Sequence, residues 1–345
     1  MRRRVAVAAA LAIAAALLTY YKMLQEPGGM AADYTWYWRA ARAIIDGYSP
    51  YDVIKPVGPY PFDQGFNYPI TTAMLVVPLA WLTPAIGSAI LMGIGTFLLA
   101  FGITRDGYEQ LPIFGSVPFF VCLESVQLAP LLAAAALIPA ASWMCSLKPN
   151  LGLAAFAYNP ALKVVVLNVL ALLVSIAIFP HWPLKWLESV QHRTPGNYAS
   201  PLFLPGGILL LLSLLKWRLP EARLLLVMSI VPQSLLFTDQ LMLWLIPKTR
   251  VESMLLSIFS LPAMFLGAAN VGENANVAAY TRSMGPAILA LLYLPCLIMV
   301  LRRPNEGQIP QWRLRRRDHR FPPVPEDQRA QPLEIHGNST PGAEA

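Results

Sequence analysis

The 34 residues from Ile70 to Ile103 contain no charged side chain, and comparable apolar runs recur from Val5 to Tyr21, Leu128 to Trp143 and Pro286 to Leu301. A run of about 20 apolar residues is long enough to cross the hydrocarbon core of a bilayer as a helix. In lipid a segment must satisfy its own backbone hydrogen bonds, which favours helices. The pattern therefore predicts an all-α fold, a polytopic transmembrane helical bundle of roughly ten to twelve membrane segments. Composition agrees: 13% of the 345 residues are charged and the mean hydropathy is +0.50, where a soluble domain carries about 25% charged residues.

The net charge of +7 does not indicate a nucleic-acid partner, because it is concentrated at the two ends. Arg2, Arg3 and Arg4 precede the first apolar run, and Arg302, Arg303, Arg313, Arg315, Arg316, Arg317 and Arg320 follow the last. Basic residues flanking spans stay on the cytoplasmic side. The expectation is a multi-pass cell-membrane protein with both termini cytoplasmic and an even number of crossings. The first run resembles a signal peptide in its arginines and alanines; a retained first span is expected. Cys122, Cys145 and Cys296 each sit in an apolar segment without metal-ligand spacing, and read as small buried hydrophobes.

The expected organisation is a membrane domain over 1–303 and a tail over 304–345. Two outer loops stand out, 22–68 and 180–201, and a third runs over 267–283. In the first, Tyr34, Tyr37, Trp38, Ala41 and Ile45 recur at helical spacing. This predicts an interfacial helix ended by Gly47, then a turn at Tyr48, Ser49 and Pro50. The tail is rich in Pro, Arg, Gln and Glu and reads as disordered and cytoplasmic. No nucleotide-binding glycine loop, nucleophile elbow or His-Glu-x-x-His motif is present, which argues against an ATP-driven pump, a conventional hydrolase and a metalloprotease.

Asp33 stands at the mouth of the first span, where the interfacial helix begins. It has two readings: an N-cap accepting backbone N–H bonds, or a general base held within reach of a substrate hydroxyl. Arg39 and Arg42 lie three apart and can grip a phosphate, or pair with Asp46 and lipid head groups. Lys148, between apolar segments, is either a boundary lysine or a functional charge inside the membrane. Gln127 and Glu124 are polar groups between apolar runs that need partners. His181 and His192, in the second outer loop, are candidate proton handlers or plain boundary residues. Tyr37, Tyr51 and Tyr68 complete the set of candidate substrate contacts.

The order of these features resembles the GT-C membrane glycosyltransferases, and most closely glycosyltransferase family 87, the polyprenol-phosphate-mannose-dependent mannosyltransferase-like group. The residues that carry the likeness are DYTWYWRAARAIIDGYSPYD from Asp33, FNYPITTAMLVVPLAWLTP from Phe66, SVQLAPLLAAAALIP from Ser125, LKPNLGLAAFA around Lys148 and FTDQLMLWLIP around Asp239. The family's Gly-Gln step reads Val126-Gln127 here. The resemblance implies a hexosyltransferase that moves a sugar, mannose first among the candidates, from a polyprenyl-phosphate donor to a glycolipid, glycan or protein on the outer face. It implies Asp33 as the base, inversion at the anomeric carbon and no metal or other cofactor. Arg39, Arg42 and Lys148 become candidates for the leaving phosphate, and Gln127, His181 and the tyrosines for substrate contacts. Two other classes compete: a transporter or flippase of lipid-linked substrates, and a non-catalytic envelope-assembly protein.

Overall fold

The computed structural model describes residues 1–62, 64–191, 196–269, 271–272 and 276–307. The expected disordered tail lies outside these from residue 308 onward, as does His192. Among the described residues the α-helices are α1 (Arg2–Met23), α2 (Tyr34–Ile45), α3 (Pro50–Val53), α4 (Ile70–Val76), α5 (Pro84–Ile103), α6 (Val117–Ser125), α7 (Ala129–Leu137) and α8 (Pro149–Tyr158). They continue as α9 (Leu162–Ile178), α10 (Trp182–Gln191), α11 (Pro220–Ile230), α12 (Arg250–Ala268), α13 (Val277–Ile288) and α14 (Leu294–Leu301). Two two-residue strands, Ile54–Lys55 and Tyr60–Pro61, pair in the first loop. The fold is an all-α bundle, as expected.

The count of long segments differs from the expectation. Among the described residues, four helical stretches are long and apolar enough to cross a membrane: α1, α5, α12 and the continuous stretch Val277–Leu301 through α13 and α14. The pair α9 and α10, bent by 98°, is a fifth candidate. Among the described residues, then, four or five of the ten to twelve expected membrane segments have the length of a full span, and proline shortens the others. It occupies the first turn of α3, α5, α6, α7, α8 and α11, where a missing N–H costs nothing, but it disfavours helix in the residue before it. Apolar runs that hydropathy reads as spans are thereby cut into short helices and 3₁₀ segments such as Pro139–Ser146, Gly207–Lys216 and Asp239–Leu245.

Hydropathy also does not tell lipid-facing from core residues. On α9 only Val164 and Ser175 are buried, while Val166, Val169, Leu170, Leu173, Val174, Ile176 and Ile178 are exposed. An apolar surface of this extent marks a membrane-embedded protein. By contrast, Leu241, Met242, Leu243, Trp244, Leu245 and Ile246 are wholly buried in the bundle.

α1 packs along α5 through small residues: a Cβ on Gly93 would stand 3.3 Å from the Ala16 methyl. Such faces let backbones approach where no hydrophobic force separates helix from lipid. The two ends of the bundle are well defined. Arg4 donates to the Phe101 carbonyl (2.7 Å), Gln110 to Pro247 (2.8 Å), and Arg303 to Ile246 (2.9 Å). These bonds place the start of α1, the end of α5, the start of α12 and the end of α14 on one face. Asp33 is at the other.

Candidate functional site

α2 starts immediately after Asp33, yet the Asp33 side chain makes no capping hydrogen bond to its own helix. The carboxylate instead accepts from the Gln127 side-chain amide, and the Tyr68 hydroxyl stands 3.4 Å from the same oxygen. Tyr34, the first residue of α2, is wholly buried against α5. A Cβ on Gly87 would sit 2.2 Å from its hydroxyl oxygen, so glycine is needed for that approach.

Asp33 opens into a cavity of about 330 Å³. Trp36, Gln64, Asn67, Tyr68, Ser125, Gln127, Lys148, Asn197, Tyr198, Ser234 and Thr238 line it as well. Burial pushes the Tyr68 hydroxyl well above the ordinary tyrosine range, with Tyr37 and then Asp33 adding to the shift. Tyr68 therefore stays protonated and acts as a donor. Tyr37, wholly buried, packs edge-on against it at 4.8 Å between ring centres.

In the same lining, Lys148 Nζ lies 2.5 Å from Asp239 Oδ1. Two threonines on α4 hold the segment before the lysine: Thr71 donates to Ser146 O (2.9 Å) and Thr72 to Leu147 O (2.7 Å). On the far side of Lys148, α8 presses so closely on this segment that a Cβ on Gly152 would meet the Cys145 carbonyl oxygen at 1.9 Å. Asp239 accepts from the Ser234 N–H at 3.1 Å. Behind it, Gln233 accepts from Gln240 (2.8 Å) and Tyr293 (2.7 Å). The Asp239 carboxylate is thus bonded by the backbone as well as by the lysine, which helps a buried charge to be tolerated.

Among the described residues, Ala32, Val126 and Phe237 are the non-glycine residues with left-handed backbone, at φ 46°, 51° and 68°. Ala32 precedes Asp33, Val126 precedes Gln127, and Phe237 stands between the cavity residues Leu236 and Thr238. For an L-residue this conformation costs roughly 1–2 kcal/mol, and such strain clusters at functional sites. Val126, where the resembled family has glycine, is the most costly of the three because its side chain is β-branched.

A second chamber of about 340 Å³ adjoins the first and shares Asn67, Tyr68, Lys148 and Tyr198 with it. Its remaining walls are more apolar: Pro69, Pro149, Asn150, Trp186, Val190 and Pro232. α10 reaches it from the loop that follows α9 and docks on the loop that follows α2. Trp186 donates to Asn67 O (3.1 Å), Ser189 to Phe66 O (2.8 Å), and Lys185 pairs with Asp52.

The structure brings Asp33, Tyr68, Gln127 and Lys148 to one cavity and sets the other candidates apart. Tyr37 backs Tyr68. Tyr51 braces the loop by donating to Tyr68 O (2.8 Å). Arg39 lies over the Phe62 ring at 5.2 Å and Arg42 over Trp81 at 5.2 Å; neither lines the cavity. Their spacing puts both on α2, where each lies over an aromatic ring outside the cavity lining. His181 is exposed and also lines neither chamber. Sequence reasoning missed Asp239, Asn67, Gln64, Trp36, Asn197 and Tyr198 as site residues. For Asp239 the signal was present: it is a lone carboxylate leading an apolar run, as Lys148 is a lone cation between two.

Comparison with known protein families, with curated proteins and with solved structures finds no match for this chain.

Proposed function

We propose that this chain is a membrane glycosyltransferase of the GT-C kind. It moves a hexose, mannose foremost, from a polyprenyl-phosphate donor to a glycolipid, glycan or protein on the outer side of the membrane. The observation that carries the reading is the Asp33 carboxylate, which does not cap its helix and lines a cavity that Lys148 also lines. Trp36, Gln64, Asn67, Gln127 and Asn197 suit a polyhydroxylated ligand, with an aromatic face for its C–H surface and side-chain amides that both donate and accept for its hydroxyls.

In this mechanism Asp33 takes the proton of the acceptor hydroxyl as its oxygen bonds to the anomeric carbon. The bond from that carbon to the phosphate oxygen breaks, and its electron pair leaves with the phosphate. Gln127 and Tyr68 orient the carboxylate. Lys148 meets the negative charge gathering on the leaving group, the kind of preorganised stabilisation that contributes most in a water-poor site. Asp239 keeps the ammonium in place between turnovers. Arg39 and Arg42 have no direct part.

The test is transfer of radiolabelled mannose from polyprenyl-phosphate-mannose by the purified protein in lipid vesicles. General-base catalysis contributes about 10²–10⁴-fold, so Asp33→Asn lowers transfer by at least a hundredfold while thermal stability is kept. Full activity in that variant overturns the assignment.

A second reading has one observation in its favour: a buried ion pair between interrupted helices also occurs in carriers. Movement of a lipid-linked sugar across vesicles without any transfer, unaffected by Asp33→Asn, selects it.

A further inference from the structure

On the face away from Asp33, two hollows meet at Tyr108. The first, of about 630 Å³, is lined by Arg2, Arg3, Arg4, Thr104, Arg105 and Tyr108 among others. Among the described residues no carboxylate lines it, and none pairs with any of its four arginines. The neighbouring acids Asp106 and Glu109 stand outside both linings. Arg4 forms fixed wall: it donates to Phe101 O and lies over the Phe101 ring at 4.5 Å. Arg2, Arg3 and Arg105 are exposed. Helix stability does not account for this grouping, because cations in the first turn of α1 oppose the helix dipole and that turn holds no acid.

The second hollow, of about 480 Å³, is a groove. It runs from Tyr108 and Arg250 past Leu111, Pro112 and Met254 to Ile258. At 1.5 Å per helical residue, the stretch of α12 from Arg250 to Ile258 makes it about 12 Å long. Its Ser257 hydroxyl is satisfied, donating to Pro112 O at 2.8 Å and accepting from Trp244 at 2.9 Å. Met254 and Ile258 are exposed, so the groove opens sideways. Gln110 donates to Pro247 O at 2.8 Å and ties the Tyr108 turn to the chain just before α12. A cluster of unpaired guanidinium groups thus continues into an apolar trough. Guanidinium forks match phosphate oxygens, and basic groups beside a bilayer attract anionic lipid.

We propose that the two hollows together hold one anionic phospholipid from the leaflet on this side. Its phosphate lies among Arg2, Arg3 and Arg105, with Arg250 at the mouth of the groove, and one acyl chain follows α12 toward Ile258. Tyr108 marks the head-group level, where tyrosine is favoured. The proposal rests on the chain lying in a bilayer and not on sugar transfer, so its test reads binding alone.

The experiment uses the full-length protein in phosphatidylcholine nanodiscs containing phosphatidylglycerol with a diazirine on one acyl chain, and labelled residues are mapped by mass spectrometry. Labelling at Met254 and Ile258 is expected to exceed that from phosphatidylcholine carrying the same diazirine. Arg105→Gln with Arg250→Gln leaves the first-turn arginines, and so the orientation of α1, unchanged; it lowers phosphatidylglycerol labelling by about fivefold or more and leaves phosphatidylcholine labelling as it was. Ile258→Trp fills the groove and abolishes labelling at Met254. Excess inorganic phosphate does not displace the lipid. Equal labelling by the two lipids, or unchanged labelling in a folded Arg105→Gln, Arg250→Gln protein, overturns the site for anionic lipid. Unchanged labelling of Met254 in a folded Ile258→Trp protein overturns the groove. Loss of labelling on adding inorganic phosphate identifies a free-anion site and overturns the lipid as its occupant.

Discussion

The Lys148–Asp239 pair permits a quantitative test. Both side chains are nearly dry, at 11% and 0% exposure, so neutralising one partner strands the other. Removing one member of a buried pair costs roughly 3–5 kcal/mol. The two single variants are not equivalent. Lys148→Met leaves a fully buried carboxylate with the Ser234 N–H and the Thr238 hydroxyl as its remaining donors, which puts it near the upper end, about 5 kcal/mol. Asp239→Asn leaves an ammonium that still reaches cavity water, which puts it nearer about 3 kcal/mol. The double variant buries no net charge and should recover about 2 kcal/mol or more of the summed loss. Thermal unfolding in one detergent, at one scan rate, reads this as a Tm lowered by about 10 °C or more for Lys148→Met and by roughly 6–12 °C for Asp239→Asn, at about 2–4 °C per kcal/mol. Sugar transfer should fall in all three proteins, because stability returns in the double variant and the cation does not. Two single variants within 2 °C of the native protein, or a double variant no more stable than the worse single, would refute the argument that this pair is formed and dry.

Further outcomes follow from the same geometry. Val126→Gly should be more stable than Val126→Ala by about 1 kcal/mol, since both lose the side chain and only glycine relieves the left-handed backbone; the ordinary order, with alanine ahead, would show that the strain is not there. Gly152→Ala should destabilise by at least about 1–3 kcal/mol, because a methyl meets backbone and not a movable side chain; thermal unfolding reads it. Arg39→Gln and Arg42→Gln should change transfer by less than about threefold, as both half-buried side chains lie over aromatic rings and line neither chamber; a hundredfold loss in either would bring α2 back into the site.

Much of this architecture was legible where the cause is local. The helix at Tyr34–Ile45 follows from its spacing, and the helical class follows from composition. Asp33, Gln127 and Lys148 stood out because polar groups are expensive among apolar runs. The remainder depends on contacts distant in the chain. Asp239 becomes a site residue by meeting a lysine 91 positions away. Asn67 and Tyr198 matter because two loops fold onto one cavity. Arg39 and Arg42 were promising by residue type, but each is taken up by an aromatic ring distant in the chain, Phe62 and Trp81. The number of long helices was misjudged because hydropathy scores a buried core segment and a lipid-facing one alike, and because proline cuts both.

That 91-residue separation has a consequence for biogenesis. A ribosome adding about 5–20 residues per second completes Asp239 some 5–20 seconds after Lys148. Throughout that interval the ammonium lacks its counter-ion, so the segment carrying it must wait at the water boundary of the insertion machinery and not in lipid. Its closure into the bundle is therefore a late event, and any pause in translation between the two residues prolongs exposure of a half-assembled membrane domain to quality-control proteases.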